Sequence, residues 1–157
     1  MRDFGDNLGV AVDLSCGTGI VARELAKSKL ARQIVAIDYS ESMLAVLQQQ
    51  ISTTNLAIVR GDVEALPLTN DSVDAVYCGA AMHCWENPDR AIENIYRVLR
   101  PGGKLYLTTF LQPLPSIVFS FFSPQELADI FTNSGFVKDS LDIQSRGVYA
   151  IVKCSKN

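Results

Sequence analysis

Short apolar runs alternate along the chain with stretches whose apolar residues recur at helical spacing. Leu8 to Val12 is the first run and ends at Asp13. From Ile20 to Leu30, apolar residues at 20, 21, 25 and 30 predict a helix. Gln33 to Ile37 is a second run, closed by Asp38. Ser40 to Ile51 predicts another helix, capped by Ser40, with Met43, Leu44, Leu47 and Ile51 on one face. Leu56 to Val59 and Val73 to Tyr77 are the third and fourth runs. Pro88 to Leu99 is helical, with Ala91, Ile92, Ile95, Val98 and Leu99 on one side, and Pro101-Gly102-Gly103 is predicted to stop it. Lys104 to Phe110 reads as a fifth strand. Ser123-Pro124-Gln125-Glu126 opens a further helix, with Ser as cap and Glu126 in the capping-box position, and Gly135 ends it. Phe136 to Gln144 and Val148 to Lys153 are the final strands, joined through Ser145-Arg146-Gly147. Leu111 to Phe122, with Pro113 and Pro115, fits no element.

This order predicts an α/β domain with a mainly parallel sheet covered by helices on both faces. The closing hairpin forces one antiparallel strand. A chain of 157 residues with 48% hydrophobic and 20% charged residues is sized and composed as one globular domain. The net charge of −3, with basic residues scattered singly, argues against nucleic acid as a partner. Four cysteines with no C-x-x-C pair, and a single histidine, argue against a structural metal. The cysteines read as reduced thiols, hence an intracellular protein. No apolar stretch reaches the ~20 residues of a membrane span. Met1 to Asp6 does not read as a signal peptide, and a removed transit peptide stays compatible with it.

In such sheets ligands bind beyond the carboxyl ends of the strands. Four of those ends carry suggestive residues: Asp13 to Gly19, Asp38, Asp62, and Gly79 to Trp85. Gly17-Thr18-Gly19 follows a strand and opens a helix, so backbone can approach a ligand there and the helix start offers unpaired N–H groups. Asp38 closes the next strand, where a carboxylate can accept from both ribose hydroxyls. Gly17-x-Gly19-x-x-Ala22 with Asp38 also fits the dinucleotide fingerprint. Asp13 before the turn favours a cationic ligand over a pyrophosphate.

Four segments then resemble the class I S-adenosylmethionine-dependent methyltransferases. Val12 to Gly19 is similar to their first motif and Ile37 to Leu44 to their acidic second motif. Arg60 to Pro67 is similar to the segment that meets adenine, and Arg97 to Gly103 to their late helix-to-strand turn. The branch it looks most like is the type 11, quinone C-methyltransferase-like one. Cys78 to Pro88 resembles uncharacterised plastid and cyanobacterial members, which implies a cytoplasmic or plastid-stroma location. The resemblance implies a Rossmann-like class I methyltransferase fold, with a seven-stranded sheet in the order 3-2-1-4-5-7-6 and strand 7 antiparallel.

It further implies that S-adenosylmethionine is held by backbone at Ser15, Gly17 and Gly19, with Asp13 near its ammonium. Asp38 would take the ribose hydroxyls, with Tyr39 and Met43 packing by the nucleoside. Asp62 and the Val63 N–H would read adenine, and Gly79 and Ala80 would floor the sulfonium. Met43 reads equally as helix core and Asp62 as a turn residue. His83, expected to face the transfer pocket, is the candidate general base, although alignment alone suffices for many methyl transfers. Cys84 and Trp85 read as pocket wall. Family members usually carry Gly where Ser15 stands. They also carry helices before the first strand and after the fifth. Here about seven residues precede the first strand, so residues 1–157 are expected to form a single domain with short or absent lid elements, or to omit parts of a longer chain. The expected function is methyl transfer to a small, apolar molecule. The alternatives are a non-catalytic S-adenosylmethionine-binding module and an NAD-dependent oxidoreductase.

Overall fold

The computed structural model describes residues 8–111 and 120–157. The apolar runs become seven strands of one sheet: β1 (Leu8–Leu14), β2 (Ala31–Asp38), β3 (Leu56–Arg60), β4 (Val73–Cys78), β5 (Leu99–Phe110), β6 (Asp142–Arg146) and β7 (Tyr149–Ser155). Between them stand α1 (Ile20–Ser28), α2 (Glu41–Gln48), α3 (Pro88–Val98) and α4 (Pro124–Asn133). The strand order is β3-β2-β1-β4-β5-β7-β6. β7 runs antiparallel to both its neighbours, and the remaining pairs are parallel.

The apolar runs are continuous because the central strands are covered on both faces. Val12, Leu14, Ile37 and Val76 pack with Ile92, Ile95, Leu127 and Phe131 beneath α3 and α4. Ala11, Ile34 and Ala75 pack with Ala22, Leu25 and Leu47 of α1 and α2 on the other face. Caps fall where the sequence predicts them. The Ser40 hydroxyl accepts from the Met43 N–H, and Ser123 with Glu126 forms a complete capping box. The four cysteines are free thiols. Among the described residues no helix is long and apolar enough to cross a membrane.

Several boundaries differ from the sequence expectation. The third helix ends at Val98, before Pro101-Gly102-Gly103, and Leu99 already pairs with Val73 in the sheet. Leu99 is fully buried, and Arg100, immediately ahead of Pro101, is disfavoured in a helix, so the chain turns into the sheet early. The extra residues are absorbed as a bulge between Leu99 and Lys104. Gly102 and Gly103 there exchange hydrogen bonds with Lys156. The penultimate strand starts at Asp142, since Phe136 turns into the core against Tyr96 and Phe131 and Lys138–Ser140 forms a 3₁₀ turn. Ser145 and Arg146 belong to β6, and Gly147-Val148 alone makes the hairpin turn, with Gly147 at φ 64°. Of the segment 111–122 that fits no element, 112–119 lie outside the described residues; Leu111 and Phe122 are buried and bridge each other.

Candidate active site

Strand order reverses between β1 and β4, so the connections after these strands leave in opposite directions and open a crevice at their carboxyl ends. The turn after β1 is tightly wound: Ser15, Gly17 and Gly19 have φ of 55°, 54° and 73°. Asp38 at the end of β2 fixes it. One carboxylate oxygen accepts from the Gly17 N–H at 2.7 Å and the other from the Ser40 N–H at 2.8 Å. The Cys16 N–H donates to the Ile37 carbonyl at 3.0 Å. After β4, Ala80 takes φ 50° and its N–H donates to the Thr108 hydroxyl at 2.9 Å. Non-glycine residues at positive φ cluster at functional sites, and Ser15 and Ala80 both face the crevice.

The crevice holds a cavity of about 700 Å³. Ser15, Gly17, Asp38, Tyr39, Met43, Asp62, Val63, Gly79 and Ala80 all line it. A second cavity of about 440 Å³ is lined by Asp13, Thr18, Ile20 and Thr108, and shares Ser15, Gly17, Gly79 and Ala80 with the first. Those four residues are therefore the boundary between a larger and a smaller compartment. Met43 proves to be rim and not core: it is 44% exposed, and Tyr39 beside it 69%. Asp62 does serve its turn, accepting from the Glu64 N–H at 2.9 Å, and lines the cavity as well.

The lining is acidic. Among the described residues, Asp38, Asp62, Glu64 and Glu86 line the larger cavity and Asp13 the smaller, with no Lys, Arg or His in either. Asp13 is 2% exposed, and its Oδ2 has no hydrogen-bond partner among the described residues. Burial pushes its carboxyl up to about 7. The Asp38 charge adds to that rise and a hydrogen bond from the Ala22 backbone opposes it. A buried carboxylate without a counter-charge is costly, and a cation placed beside it would relieve that cost.

Two expected site residues line neither of these cavities. Gly19 lines neither cavity; its N–H is spent on the Cys16 carbonyl at 2.9 Å, and a Cβ there would run into Leu47. Its place in the fold is the close approach of α1 to α2. His83 also lines neither cavity. Its ring lies edge-on to Phe110, with centroids 4.9 Å apart, and stacks over Phe121, and burial lowers its pKa. The apolar neighbours on β5 and ahead of α4 draw it to the flank of the crevice. Conversely, Ile20 and Thr108 enter the lining without a sequence signal, and Glu64 and Glu86 enter it from segments that carry the family resemblance.

Residues 12–107 match the family described as a methyltransferase domain. The chain belongs to the class I S-adenosylmethionine-dependent methyltransferases. It is 40% identical over 147 residues to an uncharacterized chloroplastic methyltransferase of Arabidopsis thaliana, covering 81% of this chain and 42% of that protein. It is 33% identical over 132 residues to the chloroplastic 2-methyl-6-phytyl-1,4-hydroquinone methyltransferase of the same plant, covering 80% and 39%. This chain thus spans about two fifths of those relatives' length. Phosphoethanolamine N-methyltransferase 2 of Haemonchus contortus, solved with S-adenosyl-L-methionine, superposes with a TM-score of 0.86 at 15% identity over 99% of this chain and 50% of that one. That likeness is one of fold.

Proposed function

We propose that this domain transfers the methyl group of S-adenosylmethionine to a small, apolar acceptor. The observation that carries the reading is the pair of joined acidic cavities meeting at Ser15, Gly17, Gly79 and Ala80. The residues fit the cofactor. The larger cavity offers Asp38 and Asp62 to a nucleoside and apolar surface at Tyr39, Met43 and Val63. The smaller one offers Asp13, whose Oδ2 has no hydrogen-bond partner among the described residues, to an ammonium and the Thr18 hydroxyl to a carboxylate. S-adenosylmethionine supplies an electrophilic methyl on a sulfonium, which leaves as a neutral thioether when an acceptor atom displaces it in line. The protein's part is to hold donor and acceptor in alignment and to shed water. Gly79 and Ala80, the latter pinned by Thr108, form the floor at the boundary. Among the described residues a pyrophosphate would meet five lining carboxylates and no lining cation, which disfavours NAD.

Exposed Ile20 at the smaller cavity supports an apolar acceptor, as does the hydroquinone methyltransferase relative. The chloroplastic relatives support a plastid location. The test is calorimetric titration with S-adenosylmethionine, S-adenosylhomocysteine and NAD. Binding of the adenosyl ligands is expected, and binding of NAD alone would sink the reading. Methyl transfer is then sought with radiolabelled donor across neutral quinols and phenols.

A pH effect follows from Asp13. Its carboxyl titrates near 7 in the folded protein, against 3.8 ordinarily, so ionisation opposes folding. That contribution to stability is complete below pH 3.8 and is lost as pH rises through about 7. A bound ammonium favours the ionised form, so donor binding releases a proton. Affinity for S-adenosylhomocysteine is expected to rise roughly fivefold from pH 6 to pH 8, and Asp13→Asn to flatten that rise. An equal slope in the variant would remove Asp13 from the ammonium site. For His83, the placement on the flank predicts that His83→Ala leaves S-adenosylhomocysteine affinity within about twofold. A larger loss in calorimetry would return the side chain to the cavity.

A further inference from the structure

The four loops around the larger cavity are tied into a closed ring by hydrogen bonds. The turn after β1 is joined to the end of β2 by Gly17 N–H to Asp38 and by Cys16 N–H to the Ile37 carbonyl. The end of β2 is joined to the loop after β3 by Gly61 N–H to the Asp38 carbonyl at 3.1 Å. That loop is joined to the segment after β4 by Asn87 N–H to the Glu64 carboxylate at 2.8 Å. The ring closes where the Trp85 indole N–H donates to the Ser15 hydroxyl at 3.2 Å, back on the turn after β1.

This last link differs from the others. It joins two side chains seventy residues apart in sequence, whereas the others each use a backbone N–H. Trp85 is the chain's single tryptophan, 8% exposed, with part of its ring in the cavity wall. Ser15 pays a conformational cost at φ 55° that glycine would avoid. The indole N–H is a donor with no acceptor capacity, so Ser15 must supply the acceptor and its own proton points elsewhere.

We propose that Ser15 and Trp85 are a positioning pair: their hydrogen bond closes the ring of loops and holds the cavity in its binding-competent shape. The inference rests on the donor site assigned above. Preformed loops bind more tightly because less order is lost on binding. Neither side chain needs to touch the reacting atoms.

The test is a double-substitution cycle read by calorimetric affinity for S-adenosylhomocysteine, with thermal unfolding measured alongside. Ser15→Gly, Trp85→Phe and the pair are compared with the unsubstituted protein. Ser15→Gly leaves the indole N–H without its acceptor but relieves the backbone, so the two effects on stability offset and its melting temperature is expected to change little while its affinity falls roughly fivefold. Trp85→Phe is expected to lose a similar factor, and the double variant to be no weaker than the worse single one. Loss of affinity at nearly unchanged stability in Ser15→Gly separates positioning from plain structural support. Losses that multiply in the double variant, or affinity within twofold in Ser15→Gly, would overturn the pair. Absence of adenosyl-ligand binding by the unsubstituted protein would instead overturn the donor site. Should Trp85→Phe fail to fold, Ser15→Gly alone, followed through the fluorescence of Trp85, decides. Ligand is expected to shift that emission in the unsubstituted protein and to shift it less in the variant; equal shifts count against the pair.

Discussion

Asp38→Ala is expected to weaken S-adenosylhomocysteine binding about a hundredfold and to cost about 3 kcal/mol of folding stability. The two effects share one cause. Each oxygen of this carboxylate already accepts a backbone N–H, from Gly17 and from Ser40. Hydrogen bonds to a charged acceptor contribute roughly 1.5–3 kcal/mol each, and the half-buried setting places these at the lower end. Alanine leaves both N–H groups unanswered, so the turn after β1 loosens and α2 loses its entry. On the proposed placement of the donor, it would then meet a loosened turn and would also lack its ribose acceptor. Asp38→Asn is the instructive contrast. An amide has one acceptor oxygen, and its NH₂ would face a backbone donor, so one bond survives and stability falls about half as far. Urea unfolding and calorimetry on both variants check this. Asp38→Ala with stability within about 0.5 kcal/mol of the unsubstituted protein would show that water replaces the carboxylate at both N–H groups.

Asp38 also shows how far the sequence could be read. Its place at the end of an apolar run, after a glycine turn, announced a cavity-facing carboxylate, because strand ends in a parallel sheet converge whatever the loops do. The same logic found Asp62, Gly79 and Ala80. Strands and helices were legible for a related reason: continuous apolar runs and helical spacing are local signals, and the caps at Ser40 and Ser123 are local too.

What stayed hidden depends on partners far away in sequence. Thr108 pins Ala80 from 28 residues on, and Trp85 meets Ser15 from 70. Neither spacing carries a pattern. The early end of α3 depends on Val73 waiting in the sheet for Leu99, with Lys156 closing the bulge. His83 was expected in the pocket because its loop faces it, yet one residue of difference along a 3₁₀ turn separates Cys84, which lines the cavity, from His83, whose ring goes to Phe110. In sequence, Ser15 stands where family members usually carry Gly. In the fold its hydroxyl has a partner, which gives the side chain a reason to be there.

Gly19→Ala is expected to destabilise the protein by about 3–4 kcal/mol, a large part of the 5–15 kcal/mol typical of a domain. Gly19 is the residue before α1 and sits at φ 73°, where a Cβ costs roughly 1–2 kcal/mol. A Cβ there would also lie 2.6 Å from one δ-methyl of Leu47 and closer still to the other. Leu47 is fully buried on α2 and has little room to give, so overpacking adds roughly 1–3 kcal/mol. The two contributions separate by experiment. Leu47→Ala alone should cost about 2–5 kcal/mol as a cavity. In the Gly19→Ala background it should cost less by about 1–2 kcal/mol, because the shortened side chain removes the overlap. Strict additivity would assign the whole effect to the backbone. Since Gly19 lines neither cavity, folded Gly19→Ala protein at low temperature should bind S-adenosylhomocysteine far better than Asp38→Ala does, although both substitutions fall on the same turn and the carboxylate that holds it.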